Sequence, residues 1–239
     1  MNISIPYPGG KYRIWNKLVA EFPRFGNKYL ELFAGRGNMF FNFKYISDYE
    51  KYHINDKYTG KYFRAIQVID LNNLPKVITY ELYEDLKMKF LMNDPLALVL
   101  EPHITFRGKG YDAGPQFDQG HFERYDFNRF KQKLAFMKAR LIDVTVTDYD
   151  FTHVDLDNLT CDDFIYCDPP YLYTEGVGYN NIDHMELINI LQNTDAQWAL
   201  SGYETEMYLH ELGEPILRLE RNIEMSNESN QSIECLWRS

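Results

Sequence analysis

Apolar positions along the chain fall into blocks whose spacing switches between the helical and the extended period. Ile14, Leu18, Val19 and Phe22 stand at i, i+4, i+5 and i+8, which predicts a helix over 12–22. "KYLELFAG" then predicts a strand from Tyr29 to Phe33, which stops at "AGRGN" and runs into a helix over "MFFNFKYI". "YHIND" reads as a short second strand ending in an acid, and "KYFRAIQVIDL" as the next helix. This βαβα order over the first 70 residues favours a parallel sheet with helices on its faces.

Residues 75–102 predict helix with a break at "NDP" (93–95), and "DFNRFKQKLAFMKARL" predicts an amphipathic basic helix. Between them, 105–120 carry four glycines (108, 110, 114, 120) and Pro115, a long loop of the kind that tends to be functional in compact domains. "DVTVTDYDF" and "FIYCDPPY" read as strands, "HMELINILQN" as a helix, "AQWALSGY" as a strand and "ETEMYLHEL" as a helix. "PILRLE" and "SIECLWRS" form a last strand pair, and no internal repeat appears.

The 239 residues leave room for one large α/β domain, or one domain with an insertion. No apolar run reaches bilayer length, and "MNISIPYPGGKYR" does not read as a signal peptide. A cytoplasmic protein without membrane contact is expected. Cys161, Cys167 and Cys235 show no Cys-x-x-Cys spacing and read as free thiols, and the six histidines show no ligand spacing, so no metal is expected. The net charge of −10 argues against a polyanion partner. Yet Ile104–Arg140 holds eight basic residues against four acidic ones, which makes it +4 and leaves −14 for the rest. Two readings fit this block: a polyanion contact, or a solvated helix face.

Three stretches carry candidate chemistry. In "LELFAGRGNMF", Gly35 and Gly37 sit between a strand and a helix, where glycine allows a tight turn and close backbone approach to a ligand. A plain strand–helix turn fits equally well. About twenty residues on, Asp56 ends the second strand, placed either to accept from ribose hydroxyls or to cap the next helix. In "PYPGGK", Gly9 and Gly10 give a flexible turn and Lys11 opens a helix, which suits a cofactor carboxylate or an ordinary N-terminal turn.

The third stretch is "FIYCDPPYLY". Pro169 and Pro170 supply no backbone N–H and fix two φ angles, so the chain leaves the sheet stiffly. Asp168 is held before the turn and Tyr171 after it. A carboxylate followed by rigid carbonyls is a set of acceptors that fits an exocyclic amine. Tyr171 offers a face on which a base can stack, at about 1–3 kcal/mol per base. Catalysis by such a turn is mostly orientation and electrostatics.

Taken together, "PYPGGK", "YLELFAGRGN", "YHIND", "TDYDF" and "FIYCDPPY", in this order, resemble the Dam-like (D12 class) DNA adenine-N6 methyltransferases. The resemblance implies a mainly parallel seven-stranded Rossmann-like sheet with a helical target-recognition insertion. The catalytic domain would be 1–71 and 143–239, with the insertion over 72–142. It implies S-adenosylmethionine as cofactor, double-stranded DNA as partner, a flipped adenine as acceptor, and a monomer or weak dimer of phage or prokaryotic, restriction–modification type. By matching position, Tyr7, Gly10 and Lys11 would meet the methionine part of the cofactor. Phe33, Gly35 and Gly37 would form its floor, Asp56 would hold the ribose, and Asp150 and Phe151 would lie near the adenine. Asp168 would bring the target amine to the cofactor, with Pro169, Pro170 and Tyr171 completing the catalytic turn. Arg107, Lys109, Arg124, Lys131, Lys133 and Lys138 are the DNA-contact candidates of the basic block. Arg36, bulky between two glycines, is expected to point to solvent. The same chemistry on RNA or on a protein amide is the alternative, as is a non-catalytic binding module; Asp168 in place of asparagine disfavours the glutamine version.

Overall fold

The computed structural model describes residues 14–106, 110–115, 126–171, 182–225 and 228–239. One seven-stranded sheet organises them. Its strands are β1 (Phe25–Glu31), β2 (Asp48–Asn55), β3 (Val144–Thr147), β4 (Phe164–Cys167), β5 (Gln197–Tyr203), β6 (Leu217–Met225) and β7 (Glu228–Arg238). The spatial order is β3-β2-β1-β4-β5-β7-β6. β1 to β5 run parallel, and β7 lies antiparallel between β5 and β6. The predicted fold class is therefore observed.

The helices are α1 (Trp15–Leu18), α2 (Asn38–Ile46), α3 (Gly60–Val68), α4 (Tyr80–Leu91), α5 (Pro95–Ile104), α6 (Phe127–Arg140), α7 (His184–Asn193) and α8 (Glu206–Leu212). Side chains alternate across the strands, and β1, β4, β5 and β7 each feed two cores. Tyr29, Phe164, Tyr166 and Ala199 face one cluster with residues of α1 to α6, while Leu30, Ile165, Cys167 and Leu200 face the other with α7 and α8. α4, α5 and α6 share the first cluster with β1 and α2 rather than packing a core of their own.

Caps set the helix starts. Asp94 accepts from the amides of Leu96 and Ala97, with Pro95 in the first turn, which is the break predicted at 93–95. Asp126 caps α6 through Arg129 N, and Asp183 caps α7 through Glu186 N. The predicted first helix is shorter than its apolar spacing suggested: beyond α1 the chain tightens into a 3-10 turn over Val19–Glu21. β1 and β2 start earlier than expected, at Phe25 and Asp48, because their first residues already pair in the parallel ladder. No helix among the described residues is long and apolar enough to cross a membrane.

Candidate active site

In an open parallel sheet the ligand crevice lies beyond the carboxyl ends of the strands, where the connections reverse direction. Here that point is between β1 and β4: the helices after β1 and β2 cover one face, and those after β4 and β5 cover the other. The glycine loop leaves β1 at this point, and the Asp-Pro-Pro-Tyr turn leaves β4 beside it.

The glycine loop is a constructed turn. Gly35 (φ +51°) and Gly37 (φ +71°) both take left-handed backbone, which side chains rarely adopt. A Cβ added to Gly37 would strike the Phe41 ring at 2.6 Å, whereas one at Gly35 would meet no atom within 4 Å. Gly35 thus faces open space. Its amide donates to Asp56 Oδ2 at 2.8 Å, and its carbonyl accepts from the Thr59 hydroxyl. Asp56 Oδ1 accepts from Tyr58 N (2.9 Å) and Thr59 N (2.8 Å). Asp56 is buried, which pushes its carboxyl above the usual range, while these backbone donors pull the other way. Asp56 therefore holds the turn that leads into α3, and the same carboxylate pins the glycine loop.

Arg36 does not point to solvent. The left-handed residues on either side turn it inward, and it is buried with its guanidinium 5.7 Å from the Tyr62 ring centroid. It lies close enough to Glu101 of α5 to oppose the upward push that burial gives that carboxyl.

Asn55 was not singled out by the sequence. Its side-chain amide donates to Leu32 O and Tyr149 O, and its carbonyl accepts from Thr147 Oγ1 and Tyr149 N. It ties the exits of β1, β2 and β3 together. Phe33 and Phe151 meet at 5.5 Å between ring centroids across the same edge. Asp150 is held by Lys57 at 2.9 Å, which lowers its carboxyl pKa.

The β4 turn has its own supports. Asp168 Oδ1 accepts from Ser201 Oγ at 3.2 Å, and Ser201 lies 2.8 Å from the Tyr166 hydroxyl. Serine has one proton; once it is given to the carboxylate, Tyr166 must be the donor of the second bond. Tyr171 stacks on Tyr203, with centroids 4.1 Å apart and planes 25° apart, and its hydroxyl reaches Glu234 Oε2 at 3.1 Å. The His184 ring bonds the Pro170 carbonyl and has Nδ1 2.6 Å from the Tyr208 hydroxyl. A neutral ring that donates to Pro170 through one nitrogen and accepts from Tyr208 through the other satisfies both. Burial lowers its pKa and favours that neutral form.

Below these turns Glu31, Tyr166, Ser201 and Glu234 form a buried polar row across β1, β4, β5 and β7. Glu31 accepts from the Tyr29 hydroxyl at 2.7 Å, and burial, with Asp168 and Asp56 nearby, raises its carboxyl well above the ordinary range.

Gly35, Gly37, Phe33, Asp56, Asp150, Phe151, Asp168, Pro169, Pro170 and Tyr171 are thus all placed on the carboxyl edge of the sheet. Tyr7, Gly10, Lys11, Arg107, Lys109 and Arg124 lie outside the described residues. The three candidate lysines of α6 differ in their surroundings. Lys138 Nζ donates to the carbonyls of Gln67 and Ile69 at the end of α3, at 3.0 and 2.6 Å. Lys133 is half-buried, and burial followed by Arg129 and Arg36 lowers its pKa to about 8. Lys131 is the outward member of the three and lies 3.4 Å from Asn72 Oδ1.

The sequence profile described as D12 class N6 adenine-specific DNA methyltransferase matches residues 7–94 and 110–235. The modification methylase StsI of Streptococcus sanguinis is 29% identical over 77% of this chain, and the chain spans about a third (32%) of that protein's length. Since the matched residues contain the glycine loop, Asp56 and the Asp168 turn and make up most of the chain, this protein belongs to the D12 class N6 adenine-specific DNA methyltransferase family.

Proposed function

We propose that this chain methylates the exocyclic amine of an adenine extruded from duplex DNA, with S-adenosylmethionine as methyl donor. The observation that carries this reading is the placement of Asp168 beside the glycine loop at the β1/β4 switch point. When bound, S-adenosylmethionine supplies an electrophilic methyl group. The residues present suit it: Gly35 faces open space where a side chain would intrude, and the Phe33–Phe151 pair gives an apolar wall. Asp56 would accept ribose hydroxyls with the lone pairs its backbone donors leave. Tyr7, Gly10 and Lys11 would take the methionine end, and Asp150 would flank the adenine.

Asp168 would accept from the target amine, keeping its lone pair aimed at the methyl group, and Ser201 keeps Oδ1 from rotating away. Pro169 and Pro170 hold the following carbonyls in a fixed direction. Tyr171 would stack on the base, offsetting part of the few kcal/mol that extrusion costs. Residues 72–142 would supply target recognition, with Arg107, Lys109, Arg124 and the outward Lys131 as DNA contacts.

The test is methyl transfer from labelled cofactor to duplex DNA, with sequencing for modified adenine. Asp168→Ala, folded by circular dichroism, should lose at least ~10²-fold in rate. Near-native methylation by that variant, or no adenine methylation by the wild type on any duplex, would overturn the reading.

A further inference from the structure

We propose that Glu234 and Tyr203 are positioning residues for Tyr171. Glu234 fixes where the phenol points, and Tyr203 fixes the plane of the ring. This rests on Tyr171 being the residue on which the target base stacks.

Two prolines stiffen the backbone ahead of Tyr171, but they leave its side-chain torsions undetermined. A stacking platform must hold its plane before the base arrives, or ordering it subtracts from the stacking energy. The structure supplies two constraints on that ring. Tyr203 lies against it at 4.1 Å and 25°, which sets the plane. The Glu234 carboxylate lies 3.1 and 3.4 Å from its hydroxyl, which sets the direction within that plane. Both supports come from one place in the sheet, because Tyr203 and Glu234 are directly paired across β5 and β7. Glu234 is fully buried (0% exposed), and burying a carboxylate is unfavourable unless it is hydrogen-bonded. Its neighbours on the same strand face, such as Leu236, are apolar. Tyr171 lies on the catalytic turn, 63 residues away in the chain, and is reached only across the sheet.

The experiment is a double-mutant cycle on duplex DNA carrying the site that the wild type methylates. Single-turnover methylation rates and DNA affinity are measured for Glu234→Leu, Tyr171→Phe and the double variant, with Glu234→Gln as the conservative control. Losing a hydrogen bond to a charged group predicts a rate about tenfold lower for Glu234→Leu and for Tyr171→Phe, with DNA affinity nearly unchanged. The double variant should be no slower than the slower single one, because both remove the same bond. Glu234→Gln keeps an acceptor and should stay within about threefold of wild type. Equal effects of Glu234→Leu in both backgrounds, or an unchanged rate, overturn the proposal. Should Glu234→Leu not fold, Tyr171→Phe decides, since an unchanged rate there removes any role for the bond. Absence of adenine methylation by the wild type would overturn the underlying reading as well; normal wild-type activity beside inert substitutions overturns this inference alone.

Discussion

Asp56 allows the pin on the glycine loop to be separated from the turn into α3 by two substitutions at one position. Its Oδ1 serves Tyr58 N and Thr59 N, and its Oδ2 serves Gly35 N. In Asp56→Asn the remaining oxygen would stay with the two amides and the new NH2 would confront the Gly35 amide, donor against donor. The alternative flip satisfies one amide and leaves two. Asn therefore keeps the start of α3 and releases the glycine loop. A bond to a charged group contributes about 1.5–3 kcal/mol, so cofactor affinity should fall by roughly one to two orders of magnitude while stability falls by about 1–2 kcal/mol. Asp56→Ala loses all three bonds, and stability should fall by at least about 3 kcal/mol. Urea denaturation gives the stabilities, and calorimetry with S-adenosylhomocysteine gives the affinities. If both variants keep native stability and lose only affinity, Asp56 does not pin the loop, and the argument from its three backbone donors is wrong.

Lys138→Met should lower stability by about 1 kcal/mol, because two α3 carbonyls lose their donor, and should leave the salt slope of DNA binding unchanged. Denaturation and binding titrations at several salt concentrations check both halves. Ser201→Ala frees Asp168 Oδ1 from its donor and should slow methyl transfer about tenfold with unchanged cofactor affinity, read by single-turnover kinetics and calorimetry. His103 packs against Phe130 with Nε2 enclosed, and burial lowers its pKa to about 3. A folded pKa below the unfolded value of about 6.5 means that stability is present above pH 6.5 and is lost as pH falls toward 3, by up to about 1.4 kcal/mol per unit. His103→Leu should flatten the stability profile between pH 6.5 and 4 in urea titrations, and an unchanged slope would refute the assignment.

The sequence made most of this architecture legible because its elements are strongly periodic and sharply capped. Asp94-Pro95, Asp126 and Asp183 each announce a helix start, and α7 is observed over the predicted residues. The candidate site was readable where chemistry is written in rigid residue types, as in Gly35, Gly37 and Asp168 to Tyr171. What stayed hidden depends on long-range packing. Arg36 looked solvent-bound because nothing local shows that two left-handed glycines would turn it toward Tyr62 and Glu101. Lys138 looked like a surface charge because its partners lie about seventy residues earlier, at the end of α3. Ser201 and Glu234 acquire meaning only when β5 and β7 lie beside β4.

The attachment of α6 bears on how recognition specificity could be transplanted between relatives. Lys138 closes the end of α3, Lys44 of α2 donates to the carbonyls of Arg140 and Ile142, and the Arg140 guanidinium lies 3.8 Å from the Phe136 ring centroid. The bonds of Lys138 and Lys44 tie α6 to α3 and α2 on that face of the sheet. A chimera cut at the outer limits of 72–142 would break the bonds from Lys138 to the end of α3 and from Lys44 to Arg140 and Ile142, and import a foreign helix onto a surface shaped for this one. Cuts after Pro115, which bridges Thr105, and before Asp126, which caps α6, would keep these attachments and exchange only the stretch between.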